Sequence, residues 1–256
     1  DSYEVRGLLV GDFDTSVGDD YDEIAILKRR ISGGNNVYVA WYDEAGNELY
    51  NTFADGYTSS YSSWHFVKGR LSGTGSLDVA FGASGTQPRI YNGGDGSLYG
   101  AIGPASTYRL LTGNLTGGAS DRLIVMDSGY DVYLIDTIGG GGPTIAFPTG
   151  YVRDIVVGDV HNNDGAEEVI INVERIGAVG YNAAGTQVWL YNAPLVLGGK
   201  DTHVVSADMN GDTWDDLVLT NREYINVVDG ETGRPLWHYW REDLGANYDP
   251  IVGRFY

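Results

Sequence analysis

Short apolar runs recur along the chain, and each is followed by a polar, glycine-rich loop and a second apolar run. Runs such as GLLV, YRLL and DIVV precede the loops, and runs such as EIAIL and DLVLT follow them. Runs of this length, rich in β-branched residues and bounded by Gly, Asn and Asp, predict short β-strands. Long helical stretches of Leu, Ala, Glu and Lys are absent. The pattern therefore predicts an all-β fold.

The combination of apolar run and loop forms an internal repeat. Five segments align on their loops: GDFDTSVGDDYDEIAIL, GRLSGTGSLDVAF, GNLTGGASDRLIVM, GDVHNNDGAEEVIIN and ADMNGDTWDDLVLTN. They begin at residues 11, 69, 113, 158 and 207, and a sixth copy begins at residue 253 as GRFY, so the starts are 58, 44, 45, 49 and 46 residues apart. A period of about 45 residues is typical of β-propeller blades with four strands each.

The remainder of each repeat has the pattern of a β-hairpin. Segments such as VYVAWYDEAGNEL and INVVDGETGRPLWHY read as strand, Asx and Gly turn, strand. We therefore predict a β-propeller of four-stranded blades, with five complete repeats and one partial repeat, in a single domain of residues 1–256. The extra copy at Gly253 suggests a fragment of a ring of six or more blades, or a terminal strand that closes or extends the ring. Trp41, Trp189 and Trp237 lie near the hairpins, and we expect them to pack between blades.

The loop of the fifth repeat, DMNGDTWDD, is dense in oxygen-bearing side chains. Numbered from Asp208 as position 1, its odd positions share one side of a tight loop, and position 7 can offer its main-chain carbonyl. Hard oxygen ligands at this density suit Ca²⁺, which takes six to eight oxygens at about 2.3–2.6 Å. Without a cation, the carboxylates would repel one another directly before a buried strand.

This loop resembles the calcium loop of FG-GAP repeats, the blade unit of integrin α-subunit propellers, and of the VCBS-type repeats in many secreted microbial proteins. The resemblance covers nearly the whole chain as a repeat, although only some loops keep the ligands. It implies side-chain ligands at positions 1, 3, 5 and 9 and a carbonyl ligand at position 7, with Asp215 pointing elsewhere. Carried over, the ligands are Asp208, Asn210, Asp212, Asp216 and the main chain of Trp214.

Two further loops keep enough of the pattern to predict calcium sites. The fourth loop is one residue longer, and the best match is Asp159, Asn162, Asp164 and Glu168, with His161 or Asn163 as alternatives to Asn162. The first loop has three extra residues, and the best match is Asp12, Asp14, Asp19 and Glu23, with Asp20 as an alternative to Asp19. The second and third loops carry Arg70 at position 1 and Arg122 at position 9, and we predict no metal there.

Charge, composition and missing motifs limit the classes of partner and of enzyme that the chain can represent. The formal net charge of −19 disfavours nucleic acid and anionic membrane surfaces as partners. The chain has no Cys and no apolar run of about 18 residues that could insert into a membrane. No zinc-protease or nucleophile-elbow motif is present. We expect an extracellular or cell-surface binding or adhesion propeller for a glycan or a protein. The candidate ligand-binding residues are Tyr57, Tyr61, Trp64 and His65, in or beside a long aromatic insertion of the first repeat.

Two alternatives remain open at this point. Rhamnogalacturonan lyases also use Asp-rich, calcium-binding propeller repeats, and Tyr57, Tyr61, His65 and Lys68 could supply a base. The acidity of the chain opposes this reading, because a pectin-cleaving enzyme needs a basic cleft. The abundant Tyr, Gly and Asp also suit a self-assembling subunit of an extracellular filament or surface layer.

The ligand pattern predicts about three bound calcium ions, in the first, fourth and fifth loops. Chelated and refilled protein should hold close to three Ca²⁺ per chain by elemental analysis, and a chelator should lower the melting temperature, because a ligand specific for the native state stabilises it. A stoichiometry of zero or one would contradict the assignment.

Overall fold

The computed structural model describes residues 2–13, 22–32, 36–56, 64–73, 75–135, 145–147, 151–174, 176–192, 203–220 and 224–240. All secondary-structure elements of these residues are β-strands. A helix long and apolar enough to cross a membrane is not found among them. The all-β prediction is confirmed. The predicted partial repeat at Gly253 lies outside the described residues.

The twenty strands follow the repeats along the chain. The first repeat forms β1 Tyr3–Gly11, β2 Glu23–Arg30, β3 Asn36–Tyr42 and β4 Glu48–Gly56. The second forms β5 Trp64–Gly69, β6 Asp78–Ala83, β7 Arg89–Tyr91 and β8 Leu98–Ala101. The third forms β9 Arg109–Gly113, β10 Arg122–Met126, β11 Val132–Ile135 and β12 Ile145–Ala146. The fourth forms β13 Val152–Gly158, β14 Glu168–Val173, β15 Gly177–Tyr181 and β16 Gln187–Asn192. The fifth forms β17 His203–Ala207, β18 Asp216–Thr220, β19 Tyr224–Val228 and β20 Pro235–Trp240.

Each repeat folds into its own four-stranded antiparallel sheet, with the strands hydrogen-bonded in the order of the sequence. The predicted order of four strands in each repeat is therefore confirmed in all five repeats. Asx side chains start the hairpin turns as predicted: Asp43 accepts from the Asn47 amide at 2.6 Å, and Asn182 accepts from the Ala184 and Thr186 amides at 3.0 Å. These local bonds fix the turn that sets the register of the last two strands.

The chain divides into two compact bodies. Residues 1–112 and 119–146 form one body, which holds the first three sheets except for the end of β9. Residues 113–118 and 147–256 form the other, which holds the fourth and fifth sheets together with part of the third loop.

Apolar clusters join consecutive sheets within each body. One cluster combines residues of the first and second sheets around Trp41, which is fully buried and meets the Tyr91 ring at 6.3 Å. Another combines the fourth and fifth sheets, where the Trp189 indole donates to the Gly230 carbonyl at 2.7 Å. The prediction that Trp41 and Trp189 pack between sheets is confirmed. It is wrong for Trp237, which is 47% exposed on the last strand of the fifth sheet.

The glycine that ends the first strand of a repeat is a point of close approach between consecutive repeats. An added Cβ would lie 3.0 Å from Thr112 at Gly69, 2.9 Å from Val157 at Gly113 and 2.8 Å from Ser206 at Gly158. At Gly11 it would lie 2.7 Å from Leu77. Because real Cβ contacts are longer, these positions accept only glycine unless the next repeat shifts. The fifth repeat has Ala207 here.

A second close approach follows the third strand. An added Cβ would lie 1.9 Å from the Leu77 carbonyl oxygen at Gly93, and 2.0 Å from the Asp215 carbonyl oxygen at Gly230. Each glycine lets the hairpin of its own sheet pass directly over the loop that precedes the second strand.

Gly93→Ala should therefore lower the free energy of unfolding by about 2–3 kcal/mol, because a backbone carbonyl cannot move aside as a side chain can. Chemical denaturation of the purified chain measures this. The adjacent Gly94→Ala is the matched control, since its nearest neighbour is a side-chain oxygen of Asn92 at 3.3 Å. Equal effects of the two substitutions would contradict the packing argument.

Candidate functional site

The acidic loop of the fifth repeat is held by hydrogen bonds between its own side chains and its main chain. Asp208 accepts from the Gly211 amide at 2.6 Å and from the Thr213 amide at 3.2 Å. Asn210 accepts from the Asp212 amide at 2.8 Å, and Asp212 accepts from the Trp214 amide at 2.9 Å. Positions 1, 3 and 5 therefore form successive Asx turns in an exposed loop.

The backbone path of this loop is shared by loops that lack the acids. Position 4 has a positive φ at Gly73, Gly117 and Gly211, with values of 70°, 66° and 86°. Two positions later φ is again positive in the second and fifth repeats, 96° at Gly75 and 79° at Thr213. Thr213 adopts this conformation despite its branched side chain, which is unusual for any residue except glycine. The second and fifth loops therefore share these backbone conformations although only the fifth carries the full set of acidic side chains.

Position 9 holds a buried carboxylate that ties down the start of its own loop. Glu23 accepts from the Phe13 amide at 2.7 Å, and Glu168 accepts from the Val160 and His161 amides at 3.1 Å. Asp216 accepts from the Met209 amide at 2.9 Å and from the Gly230 amide at 3.0 Å. In the second repeat, which lacks the other predicted ligands, Asp78 accepts from the Ser72 amide at 2.6 Å. Position 9 thus has a structural role that does not require a complete ligand set.

Position 8 reaches from one repeat to the loop of the preceding repeat. The Asp215 amide donates to the Asp159 carbonyl at 3.1 Å, and the Asp215 carboxylate accepts from the Asp159 amide at 3.0 Å. Asp121 makes the same pair of bonds with Arg70, at 3.0 and 2.7 Å, and Glu167 makes it with Asn114, at 2.9 and 2.5 Å. We call this reciprocal pair the clasp. The expectation that Asp215 points away from the loop is confirmed, and its actual partner was not anticipated from the sequence.

The fourth loop holds neighbouring carboxylates whose mutual repulsion a bound cation would reduce. Asp159 places one oxygen on the Gly165 amide at 3.0 Å, while its Oδ1 is buried without a hydrogen-bond partner. Burial raises the pKa of Glu168 to about 7, and the Asp159 and Asp164 carboxylates add to the increase. A buried orphan oxygen beside two further carboxylates fits a hard cation such as Ca²⁺.

The fifth loop shows a weaker form of the same electrostatics. Burial raises the pKa of Asp216, and the Asp212 and Asp229 carboxylates contribute. Both Asp208 oxygens already accept main-chain hydrogen bonds. The fifth loop matches the calcium-loop pattern best, but the fourth loop has the stronger electrostatic need for a cation.

The other predicted metal ligands are placed as follows. Asp12 is exposed and Glu23 is buried, while Asp14 and Asp19 lie outside the described residues. Asn162 is exposed with a φ of 71°, and the side chain of the alternative ligand Asn163 donates to the Thr213 hydroxyl at 2.7 Å. Within the ranges that the structure describes, no three His, Asp or Glu side chains form a ready-made cation cage.

The predicted ligand-binding residues Trp64 and His65 are not brought together. Neighbouring strand residues point to opposite faces of a sheet. Trp64 packs on Phe81 beside the cluster of the first two sheets, under the Arg6 guanidinium at 5.4 Å. His65 is on the other face, where burial lowers its pKa and its Nε2 has no hydrogen-bond partner. Tyr57 and Tyr61 lie outside the described residues.

No family model matches the chain, and no curated protein sequence matches it. Solved structures do resemble it. The V. cholerae biofilm matrix protein Bap1 is 18% identical with a TM-score of 0.61, over 93% of this chain and 39% of Bap1. Sqt1 of Saccharomyces cerevisiae is 12% identical with a TM-score of 0.62, over 98% of this chain and 66% of Sqt1.

A third similar structure is BBS1N in complex with ARL6DN, at 12% identity and a TM-score of 0.54, over 91% of this chain and 68% of BBS1N. The chain spans about two fifths of Bap1 and about two thirds of the other two proteins. BBS1N and Sqt1 are propeller-like. At these identities the likeness concerns the fold, and it shows a propeller-like all-β architecture.

The raised pKa of Glu168 predicts a pH dependence for the cation-free protein. Between its ordinary value of 4.5 and about 7, the native state retains a proton that the unfolded chain releases. Stability in chelator should therefore fall as the pH rises through this interval. Glu168→Gln should reduce the fall by on the order of 1 kcal/mol, because a neutral amide carries no charge to desolvate. Denaturation curves across this pH range measure the slope. Glu231→Gln, at an exposed position, is the control and should leave the slope of stability against pH unchanged. An unaltered slope in Glu168→Gln would show that Glu168 does not cause the pH dependence.

Proposed function

We propose that the chain is a calcium-stabilised extracellular binding or adhesion module, built as a β-propeller of FG-GAP-like repeats. The observation that carries the proposal is the fourth loop, where a buried carboxylate oxygen lacks a partner beside two further acidic groups. Leaving such a group unsatisfied is costly, and a divalent cation offsets both the missing bond and the repulsion. The same repeat positions carry acids in the first and fifth loops.

Each loop has a defined set of groups that would hold the ion. In the fourth loop these are Asp159, Asp164, Glu168 and, as the best match, Asn162. In the fifth they are Asp208, Asn210, Asp212, Asp216 and the Trp214 carbonyl, and in the first they are Asp12, Asp14, Asp19 and Glu23. Bound calcium would supply a positive charge that links a loop to the start of its second strand. Its role is structural, because position 9 is buried and inaccessible to a large substrate.

The propeller assignment is supported by the equivalence of the repeats and by the propeller-like neighbours. Repeats that each bury their faces only against the next repeat are stabilised by stacking around an axis. An extracellular location is supported by the likeness to a biofilm matrix protein. The high negative charge suits a protein whose loops collect cations.

The proposed ligand is a glycan or a protein, bound near the insertion of the first repeat. Insertions in repeat proteins map to loops on one face, which is often the binding face. The strand that leads into this insertion, β4, carries Leu49 and Phe53, which are 40% and 50% exposed. Phe53, the exposed aromatic side chain nearer the insertion, favours stacking on a sugar or a protein hot spot.

The lyase alternative has less support. His65 and Lys68 lie three residues apart on one strand, so their side chains point to opposite faces of the sheet. Lys68 donates its ammonium to the Val10 carbonyl. These two groups are therefore not arranged as a base and a charge-neutralising partner for one substrate.

Calcium titration calorimetry on loop variants tests the proposal. Asp159→Asn combined with Asp164→Asn should remove one calcium site per chain, because it removes two anionic ligands of the fourth loop. Asp95→Asn is the matched control, since Asp95 forms an exposed turn in the second sheet and belongs to no candidate loop. Unchanged stoichiometry in the double variant would contradict the metal assignment.

Ligand binding is tested separately on a glycan array, with calcium-saturated and chelated protein. A glycan-binding module should show saturable binding that weakens after chelation, because the repeats lose stability. Release of unsaturated uronate products from pectin would instead support the lyase.

A further inference from the structure

We propose that two tyrosines of the third repeat, Tyr108 and Tyr130, form a stacking platform for a neutral glycan. The inference rests on the proposed function and deepens it, because it names the residues that hold the ligand and the class of sugar. It follows from a strained turn, an exposed pair of rings and a buried polar atom beside them, all within the first compact body.

Tyr130 occupies a turn position at which two equivalent turns have glycine. The described turns 43–47, 127–131 and 182–186 share one pattern, in which the first amide donates to the fifth carbonyl and the fourth amide donates to the first carbonyl. The fourth residue has a positive φ in each, with values of 81° at Gly46, 67° at Tyr130 and 74° at Gly185. This conformation is unfavourable for a bulky side chain, and residues held in it cluster at functional sites. The turn itself gives no reason for a tyrosine at this position.

The Tyr130 side chain forms an aromatic pair with Tyr108. The two rings meet edge to face, with 5.1 Å between their centroids. Tyr108 is 42% exposed and Tyr130 is partly exposed. The Tyr108 amide donates to the Met126 carbonyl at 2.8 Å, so both rings are attached to backbone that is held by hydrogen bonds. Tyrosine offers a rigid, amphipathic contact surface at a low cost in conformational entropy, which suits stacking on a sugar ring.

The pair lies at the end of the sheets where the insertion of the first repeat joins β5. In sheets ordered by sequence, the turn after the second strand and the connection to the next repeat lie opposite the acidic loop. Tyr130 is in such a turn, and Tyr108 is in the connection into β9. Lys68 donates to the Val10 carbonyl and the Thr112 hydroxyl donates to the Lys68 carbonyl, so the first strands of the three repeats are aligned. The tyrosine pair is therefore on the face to which we assign the ligand.

His65 places a polar group beside the platform. Its imidazole is hydrogen-bonded to the Tyr108 main chain, while its Nε2 is buried without a hydrogen-bond partner. Burial lowers the pKa of His65 and the charge of Arg109 lowers it further, so the ring is neutral at neutral pH. Buried polar atoms are nearly always paired in native proteins, so this nitrogen indicates a place for a water or a ligand hydroxyl.

The charges around the pair favour an uncharged ligand rich in hydroxyl groups. Asp127 and the exposed Asp131 form the two ends of the turn, and Asp127 Oδ1 is fixed by the Gly129 and Asp131 amides at 2.7 and 3.0 Å. Carboxylates accept hydrogen bonds from sugar hydroxyls and repel uronate or phosphate groups. Arg109, the residue after Tyr108, disfavours a cationic ligand. A neutral oligosaccharide matches this combination.

Calorimetric titration with defined hexasaccharides tests the proposal, with cellohexaose, mannohexaose and galactohexaose as neutral probes and hexagalacturonate as the anionic probe. Tyr108→Ala and Tyr130→Gly should each weaken binding of a neutral probe by at least about tenfold, as the loss of a central aromatic contact does. Tyr130→Gly should leave the melting temperature unchanged or raise it, because glycine adopts a positive φ without strain. Tyr239→Ala is the matched control, a tyrosine that is 48% exposed on the fifth sheet, and it should bind as the natural chain does.

Unchanged affinity in Tyr108→Ala and Tyr130→Gly would overturn the site and leave the proposed function standing. A lower melting temperature of Tyr130→Gly, whatever its affinity, would assign the ring pair to folding and overturn the stacking role. Tighter binding of hexagalacturonate than of the neutral probes would overturn the ligand class. If the natural chain binds none of the probes, the glycan part of the proposed function fails together with this inference, and a protein ligand is what remains of that proposal.

Discussion

A carboxylate that passes over a glycine is the contact that joins the second, third, fourth and fifth repeats in succession. At Gly69, Gly113 and Gly158, the space where a Cβ would stand is 3.0 to 3.1 Å from the carboxylate oxygen of Asp121, Glu167 or Asp215. That oxygen accepts the amide hydrogen of the residue after the glycine. The missing side chain therefore provides the route by which one repeat is hydrogen-bonded to the next.

Adjacent acids consequently have different functions. Position 8 is hydrogen-bonded to the preceding repeat and position 9 closes its own loop. In the fifth repeat, positions 1, 3 and 5 form the turns of the exposed loop, where we propose a cation site. Asp215 and Asp216 are neighbours in sequence, yet one binds the Asp159 amide and the other the Met209 amide. A dense acidic segment is thereby divided between carboxylates that accept main-chain hydrogen bonds and carboxylates that we propose as cation ligands.

Much of the fold could be predicted because each sheet is encoded by contiguous residues. Alternating apolar runs, Asx turns and the repeat period fix the strands and their order without long-range information. The exposure of Trp237 could not be predicted, because it depends on what lies beyond the fifth sheet. The clasp was equally hidden: Asp121, Glu167 and Asp215 recur at position 8, but their partners lie about 50 residues earlier in the chain, at hydrogen-bond separations of 51, 53 and 56 residues. The orphan oxygen of Asp159 depends on local burial, which no ligand pattern encodes.

The contact between the first and second repeats lacks the clasp, because position 8 of the second repeat is Leu77. The Leu77 side chain approaches Gly11, and an aromatic cluster around Trp41 and Tyr91 fills the interface. Side-chain hydrogen bonds to main-chain carbonyls also cross this interface, from Tyr50 to Gly94 at 2.8 Å and from Thr52 to Gly96 at 2.7 Å. The first two repeats are therefore joined by apolar packing and side-chain donors, so a substitution that removes the clasp elsewhere would leave this interface intact.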